Sequence, residues 1–202
     1  MILHAPTLYR MTKDDLGEMY LSASMRSFAV GLVGIFIPIF LYTQGWELTN
    51  ILFFYMLFFM YSFLSAQYLG EYAVKYGSKH LMAVSFAFSF ASLAFLSIDH
   101  SLLSVFCIVA PLYAVAESAY WLSHQIILTE AKESGHVGGA IAKFTILVGV
   151  FSAAGPLVGG IIGEQYGLRT AFLVALLILI VALRPWFATR EGISIETFDM
   201  KK

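Results

Sequence analysis

Six apolar segments, each about as long as a bilayer is thick, constrain this sequence more than any other feature. They lie at Leu21–Tyr42, Ile51–Leu69, Leu81–Ile98, Leu102–Leu128, Ile141–Ile162 and Thr170–Phe187. A helix needs about 20 apolar residues to cross about 30 Å of hydrocarbon. Lipid offers the backbone no hydrogen-bond partners, and the period-two alternation of barrel strands is absent from the sequence. The segments therefore predict an all-α membrane protein, a bundle of six transmembrane helices.

Composition excludes the main soluble classes. Of the 202 residues, 59% are apolar and 12% are charged, against about 45–50% and about 25% in soluble domains. The net charge is −1 and no basic run follows a phosphate backbone, so nucleic acid is not an expected partner. Sequence signatures of zinc proteases, phosphate-binding loops and serine hydrolases are also missing. We expect no enzyme activity, no cofactor and no metal site.

The distribution of basic residues predicts the orientation of the bundle. The breaks between segments are short, so consecutive helices run antiparallel. With the N-terminus inside, eleven of the twelve Lys and Arg residues lie at the cytoplasmic side, and Arg169 alone lies outside. We therefore predict a cytoplasmic leader over 1–20, the bundle over 21–188 and a cytoplasmic tail over 189–202. The protein would be a multi-pass component of a plasma or inner membrane.

The break between the second and third segments carries a recognisable motif. Its matching positions are Gly70, Ala73, Lys75, Gly77 and Lys79. Two glycines permit a tight reversal of the chain, and two cations hold it at the cytoplasmic side. The motif resembles the loop between helices 2 and 3 of major facilitator superfamily transporters. Val74 stands where that family usually has an aspartate that joins one half of the transporter to the other. A contact of that kind is therefore not expected here.

A second motif lies in the fifth segment, at Gly155, Pro156, Gly159, Gly160 and Gly163. Glycines at every fourth position form a smooth stripe that favours close helix packing. Pro156 frees the carbonyl of Ser152 and permits a bend. The stretch is similar to the passage from helix 5 to helix 6 of the same superfamily, where the element is best known from proton-coupled antiporters. The alternative is a tightly packed helix with no meaning for transport.

The resemblance covers about residues 20–190. It implies a six-helix half of a twelve-helix transporter, built as three plus three helices, that moves a small solute by alternating access, with proton coupling as an option. The expected partners are the lipid bilayer, a small-molecule solute, and a second six-helix half or a second copy of the chain. The arginine motif of drug antiporters is absent from the fourth segment. The alternative function is a non-transporting membrane scaffold derived from a transporter half.

One face of the fourth segment carries the strongest candidates for a substrate or proton pathway. They are Tyr113, Glu117, Tyr120, Trp121 and His124, at spacings that place them near one another on a helix. Ionisable groups inside a membrane are costly and mark functional sites by default. On the functional interpretation the acid and the imidazole bind a polar solute or relay a proton. On the structural one Glu117 pairs with Arg26 or Lys143, although both cations are near enough to the inner surface to snorkel.

Overall fold

The computed structural model describes the backbone of residues 13–133 and 137–183, and the side chains of 20–126 and 142–183. Its helices are α1 (Lys13–Gly34), α2 (Ile37–Thr43), α3 (Leu48–Tyr76), α4 (Ser78–Ile98), α5 (Leu102–Ser104), α6 (Ala110–Glu133), α7 (Val137–Tyr166) and α8 (Leu168–Ala182). A π-helical segment, Val105–Val109, joins α5 to α6. The predicted all-α class is confirmed.

Five of the described segments are long and apolar enough to cross a bilayer. They are Tyr20–Thr43, Leu48–Tyr76, Ser78–Ile98, Leu102–Ile126 and Ala142–Tyr166. α8 is equally apolar but has 15 residues within the described part of the chain. The predicted sixth segment reached Phe187, and its last residues lie outside that part. These helices form the membrane bundle that the apolar segments predicted.

Two membrane segments are interrupted helices. The first breaks between α1 and α2, and Pro38 lies in the first turn of α2, where its missing N–H has no intrahelical partner to lose. The fourth membrane segment changes from α-helix to π-helix over Val105–Val109, immediately before α6. α1 also begins at Lys13, so the helix is continuous across the boundary predicted at residue 20 between leader and bundle. Residues 1–12 and 184–202 lie outside the described residues.

The helix contacts follow a three-plus-three plan. α1 packs mainly on α7 and α8, and α6 packs in the same way on α3 and α4. Among the first three membrane segments α3 contacts α4, and among the last three α7 contacts α8. α4 and α8, which belong to different groups, also contact each other. Exchange of the first three segments with the last three maps the contacts of α1 onto those of α6 and the α3–α4 contact onto the α7–α8 contact, and it leaves the α4–α8 contact unchanged. The first and fourth segments therefore occupy equivalent central positions.

Two matching turns connect α3 to α4 and α7 to α8. Each consists of one glycine, Gly77 with φ +88° and ψ +163° and Gly167 with φ +87° and ψ +152°. A tyrosine precedes each glycine, and a cation follows two positions later. The predicted loop over 70–80 is wrong in one respect, because α3 continues to Tyr76 and places Gly70, Ala73 and Lys75 in a helix. The chain reverses at Gly77 alone.

The Gly77 turn should not accept a side chain. Its backbone conformation is one that essentially only glycine adopts, so we expect Gly77→Ala to destabilise the protein by about 1–3 kcal/mol. A Cβ there would have no heavy atom within 4 Å, so the cost arises from the backbone alone. Gly70→Ala is the matched control, since Gly70 is helical and equally uncrowded. Thermal unfolding in mild detergent compares the two, and equal stability would contradict the assignment of the turn.

Candidate functional site

A buried ion pair joins the two central helices. The Arg26 side chain on α1 is 2% exposed, and its Nη2 donates a hydrogen bond to Glu117 Oε1 on α6 at 2.8 Å. The same nitrogen lies 3.0 Å from Ser89 Oγ on α4 and 3.4 Å from the Ala116 carbonyl oxygen. The expectation that Arg26 snorkels to the surface is therefore wrong. Charge neutralisation explains the difference, because a guanidinium cannot lose its proton and is costly in hydrocarbon unless it is paired.

Small residues on α1 make room for the arginine. Ser22, Ala23, Ala29 and Ser27 are all buried around it. Their short side chains let neighbouring helices approach closely, as is common between membrane helices. Arg26 is the largest side chain in the fully buried set. Lys143, the other cation proposed as a partner of Glu117, has an exposed side chain on α7.

An aromatic column leads away from the ion pair. The guanidinium carbon of Arg26 lies 4.0 Å from the centre of the Tyr120 ring, a cation–π geometry. The Tyr120 hydroxyl is 3.1 Å from Ser27 Oγ. Beyond Tyr120 the His124 ring lies parallel at 6.1 Å, and Phe144 of α7 stacks on His124 at 4.5 Å. Because Ser123 bonds to the Ser78 carbonyl, the column ends at the Gly77 side of the bundle.

His124 is the least satisfied polar side chain of the column. Both of its ring nitrogens are buried, and neither has a hydrogen-bond partner among the described residues. A buried donor or acceptor without a partner costs about 1–3 kcal/mol. An imidazole can take up or release a proton near physiological pH. The His124 ring lies about two helical turns from Glu117 on the same helix.

Four of the five residues predicted on this face lie on the side of α6 that meets α1 and α3. Tyr120 and His124 belong to the column, and Tyr113 packs against Phe58 of α3 at 5.2 Å. Trp121 is the exception, with 55% of its side chain exposed. At about 100° per residue, Tyr113, Tyr120 and His124 lie to one side of Glu117 and Trp121 to the other. The Trp121 ring still contacts the column, at 5.6 Å from the Tyr120 ring and 5.9 Å from the His124 ring, so the pathway role of all five residues stays a prediction.

Sequence reasoning missed the α4 side of the site. Ser85, Ser89 and Ser92 are each at most 1% exposed, and Ser89 contacts Arg26. Their spacing of four and three residues places them on one helical face. A serine stripe in an otherwise apolar segment was visible in the sequence and could have marked the face of α4 that turns inward.

The second glycine motif lies where α7 crosses α1. A Cβ built on Gly155 would lie 2.7 Å from the backbone nitrogen of Leu32, and one on Gly159 would lie 2.0 Å from the Leu32 carbonyl oxygen. The two backbones therefore touch directly. Gly163 differs, because its nearest neighbour is the Leu168 side chain of α8. The stripe that contacts α1 ends before Gly163, and it meets α1 at Phe28, Gly31 and Leu32, within two helical turns of Arg26.

The hydrogen bonds and the ion pair described for Arg26 and Glu117 involve none of the residues of the first motif. Gly70, Ala73 and Lys75 lie along the last turns of α3, and Lys79 lies in the first turn of α4. Val74, at the position where the resemblance suggested an aspartate, is 70% exposed. The motif belongs to the Gly77 end of the bundle, near the end of the aromatic column.

Comparison with known proteins agrees with this architecture. A search of curated proteins gives no match. The family model described as Major Facilitator Superfamily matches residues 19–198, which covers every membrane segment and the whole of the ion-pair site. A match over most of the length, together with the three-plus-three helix plan, establishes the family: the chain belongs to the major facilitator superfamily of membrane transporters.

Proposed function

We propose that this chain is a six-helix unit of a secondary active transporter, and that the Arg26–Glu117 pair is the centre of its solute pathway. The observation that carries the proposal is a buried ion pair between the two central helices, α1 and α6. Charged groups at this depth are expensive and persist where they act on a substrate or an ion. The family supports transport in general, and the pair supports a polar or charged solute.

The two charged side chains can be paired with each other, or each can instead bind a ligand of opposite charge. A proton or a cationic group that binds Glu117 neutralises its carboxylate and leaves Arg26 without its counter-ion. The guanidinium stays charged, so it then attracts an anionic group. The Glu117 side chain is 18% exposed, which leaves one side of it open to a ligand. A solute that binds these charges more tightly in one conformation than in the other would shift the equilibrium between the two conformations.

A second six-helix bundle would pack against α3 and α7. In the membrane windows of these two helices only 11% of the residues are buried, against 39–50% in the other three long segments. The two helices are equivalent in the three-plus-three plan, and their exposed faces make up the surface that a partner would cover. We propose that this surface is covered by another six-helix bundle, either a second copy of the chain or a different half.

Both termini are proposed to lie in the cytoplasm, because ten of the eleven basic residues other than the buried Arg26 then lie inside. Tags before Met1 and after Lys202 should both be protected from reagents added to intact cells. Cysteines placed at Asp99 and Glu164 should react with an impermeant thiol reagent, after Cys107 is changed to Ser. Finding the two termini on opposite sides would contradict the orientation.

Transport itself is tested with the full chain in liposomes. We expect saturable uptake of a radiolabelled polar solute, chosen from a panel of small carboxylates, amines and sugars by thermal stabilisation of the protein. Glu117→Gln should reduce uptake at least tenfold, because the carboxylate that exchanges partners is gone. Glu164→Gln is the matched control, since it makes the same chemical change at an exposed carboxylate near the end of α7, and it should transport normally. Absence of uptake for every stabilising solute would favour the scaffold alternative.

A further inference from the structure

A cavity of about 410 Å³ lies at the end of the bundle opposite Gly77. It is formed where the first and third membrane segments end and the last one begins. Its lining includes Phe40, Thr43, Gln44, His100, Leu168 and Arg169. It is separate from the ion-pair site, since none of the lining residues contacts Arg26 or Glu117.

The polar groups of this cavity suit an anion. Arg169 is the one charged residue in the lining, and its side chain forms no ion pair with the described residues. His100 also lines the cavity, and its imidazole ring has nitrogens that can donate a hydrogen bond. Gln44 adds a side-chain amide with two N–H donors. α8 also begins here, so its first amide groups and the positive end of its dipole face the same region.

The nearest acid is held away from the cavity. Asp99 precedes His100, but its carboxylate accepts hydrogen bonds from the Ser101 amide at 2.9 Å and from the Ser101 hydroxyl at 3.3 Å. These bonds lower the pKa of Asp99 below its ordinary value, so the carboxylate stays ionised and engaged with the start of α5. No carboxylate is among the residues that line the cavity. An anion in the cavity would therefore meet donors in the lining, while the carboxylate of Asp99 is engaged by Ser101.

The position of the cavity and the residues that line it favour a lipid headgroup as the anion. The cavity lies at the ends of the membrane segments, which is the level of lipid headgroups. Phe40, Ile98 and Leu168 give it an apolar wall that suits an acyl chain. Arg169 is also the basic residue that the predicted topology places alone on the outer side. We propose that this cavity binds the phosphate headgroup of an anionic phospholipid, with Arg169 and His100 as its main contacts.

The test measures lipid binding to the purified full chain. Phosphatidylglycerol titrated into the detergent-solubilised protein should raise its melting temperature more than phosphatidylcholine does. Arg169→Gln should weaken the phosphatidylglycerol response about tenfold, because one charge-assisted contact is lost. His100→Phe keeps the ring that packs on Phe40 and should weaken the response less. Lys75→Gln is the control, because this lysine lies at the other end of the bundle, and it should respond as the wild type does.

Two results would overturn the proposal. The first is an equal response to phosphatidylglycerol in the wild type and in Arg169→Gln, which would mean that lipid binds elsewhere. The second is a stabilisation by inorganic phosphate alone that depends on Arg169 and exceeds the lipid effect. That result would assign the cavity to a free oxyanion. Arg169 is exposed, so Arg169→Gln should fold normally, and its melting temperature without lipid serves as the check.

Discussion

Glu117→Gln is expected to lower the free energy of unfolding by about 3–5 kcal/mol, the usual cost of removing one partner from a buried ion pair. The arginine left behind is 2% exposed and cannot lose its proton. Its contacts to Ser89 and to the Ala116 carbonyl remain, but neither group carries a compensating charge. The variant therefore holds an uncompensated cation between three helices.

Arg26→Gln should cost less, about 1–3 kcal/mol. The carboxylate it leaves behind is 18% exposed, so water can reach it and reduce the cost of its unpaired charge. The asymmetry between the two single variants is the specific signature of this geometry. A pair in which both charges reached the surface would give small and similar losses. Unfolding in mixed detergent micelles measures both variants, and equal losses would contradict the buried position of Arg26.

The double variant Arg26→Met, Glu117→Leu separates stability from function. Apolar residues of similar volume often replace a buried ion pair without loss of stability. We expect this protein to unfold within about 1 kcal/mol of the wild type and to show no solute uptake. A stable double variant that still transports would restrict the pair to a structural role. It would also leave the solute pathway to be sought elsewhere in the bundle.

The sequence predicts the membrane segments well because bilayer thickness imposes their length. Helix ends are less predictable, since lipid no longer determines which residues are helical there. α3 continues seven residues past the predicted end at Leu69, through Gly70 to Tyr76, because helical hydrogen bonds do not require apolar side chains. The one residue that had to break the helix was Gly77, whose positive φ excludes helical continuation.

The site is less predictable than the bundle because its geometry depends on how each helix is rotated. The charged residue Glu117 and its neighbours on one helix could be found from spacing alone. The choice between Arg26 and Lys143 as its partner depends on the contact of α1 with α7, which a nearly uniform apolar pattern does not specify. Trp121 illustrates the same problem. Residue spacing defines a face about 100° wide on the helix, but it does not show which part of that face turns towards the neighbouring helices.

The crossing of α1 and α7 determines how α1 is rotated about its axis. Substitutions of the glycines at this crossing are therefore the most demanding test of the structure. Gly159→Ala would place a Cβ 2.0 Å from the Leu32 carbonyl oxygen and 2.9 Å from the Leu32 carbonyl carbon. Backbone atoms cannot move aside as a flexible side chain can, so the two helices must separate. Inserting one methyl group into a packed core costs about 1–3 kcal/mol, and we expect the upper end of that range or more here. Packing is the main force between membrane helices, which leaves little to compensate the loss.

Gly149→Ala on the same helix is the matched control, because a Cβ there would meet nothing within 4 Å. We expect its unfolding free energy to equal that of the wild type, while Gly155→Ala, with its Cβ 2.7 Å from the α1 backbone, should resemble Gly159→Ala. Separation of the helices would also shift Arg26 relative to Glu117, so solute uptake should fall together with stability. If Gly159→Ala and Gly149→Ala unfold alike, α1 and α7 do not cross backbone to backbone at Leu32, and the placement of the ion pair on that crossing is wrong.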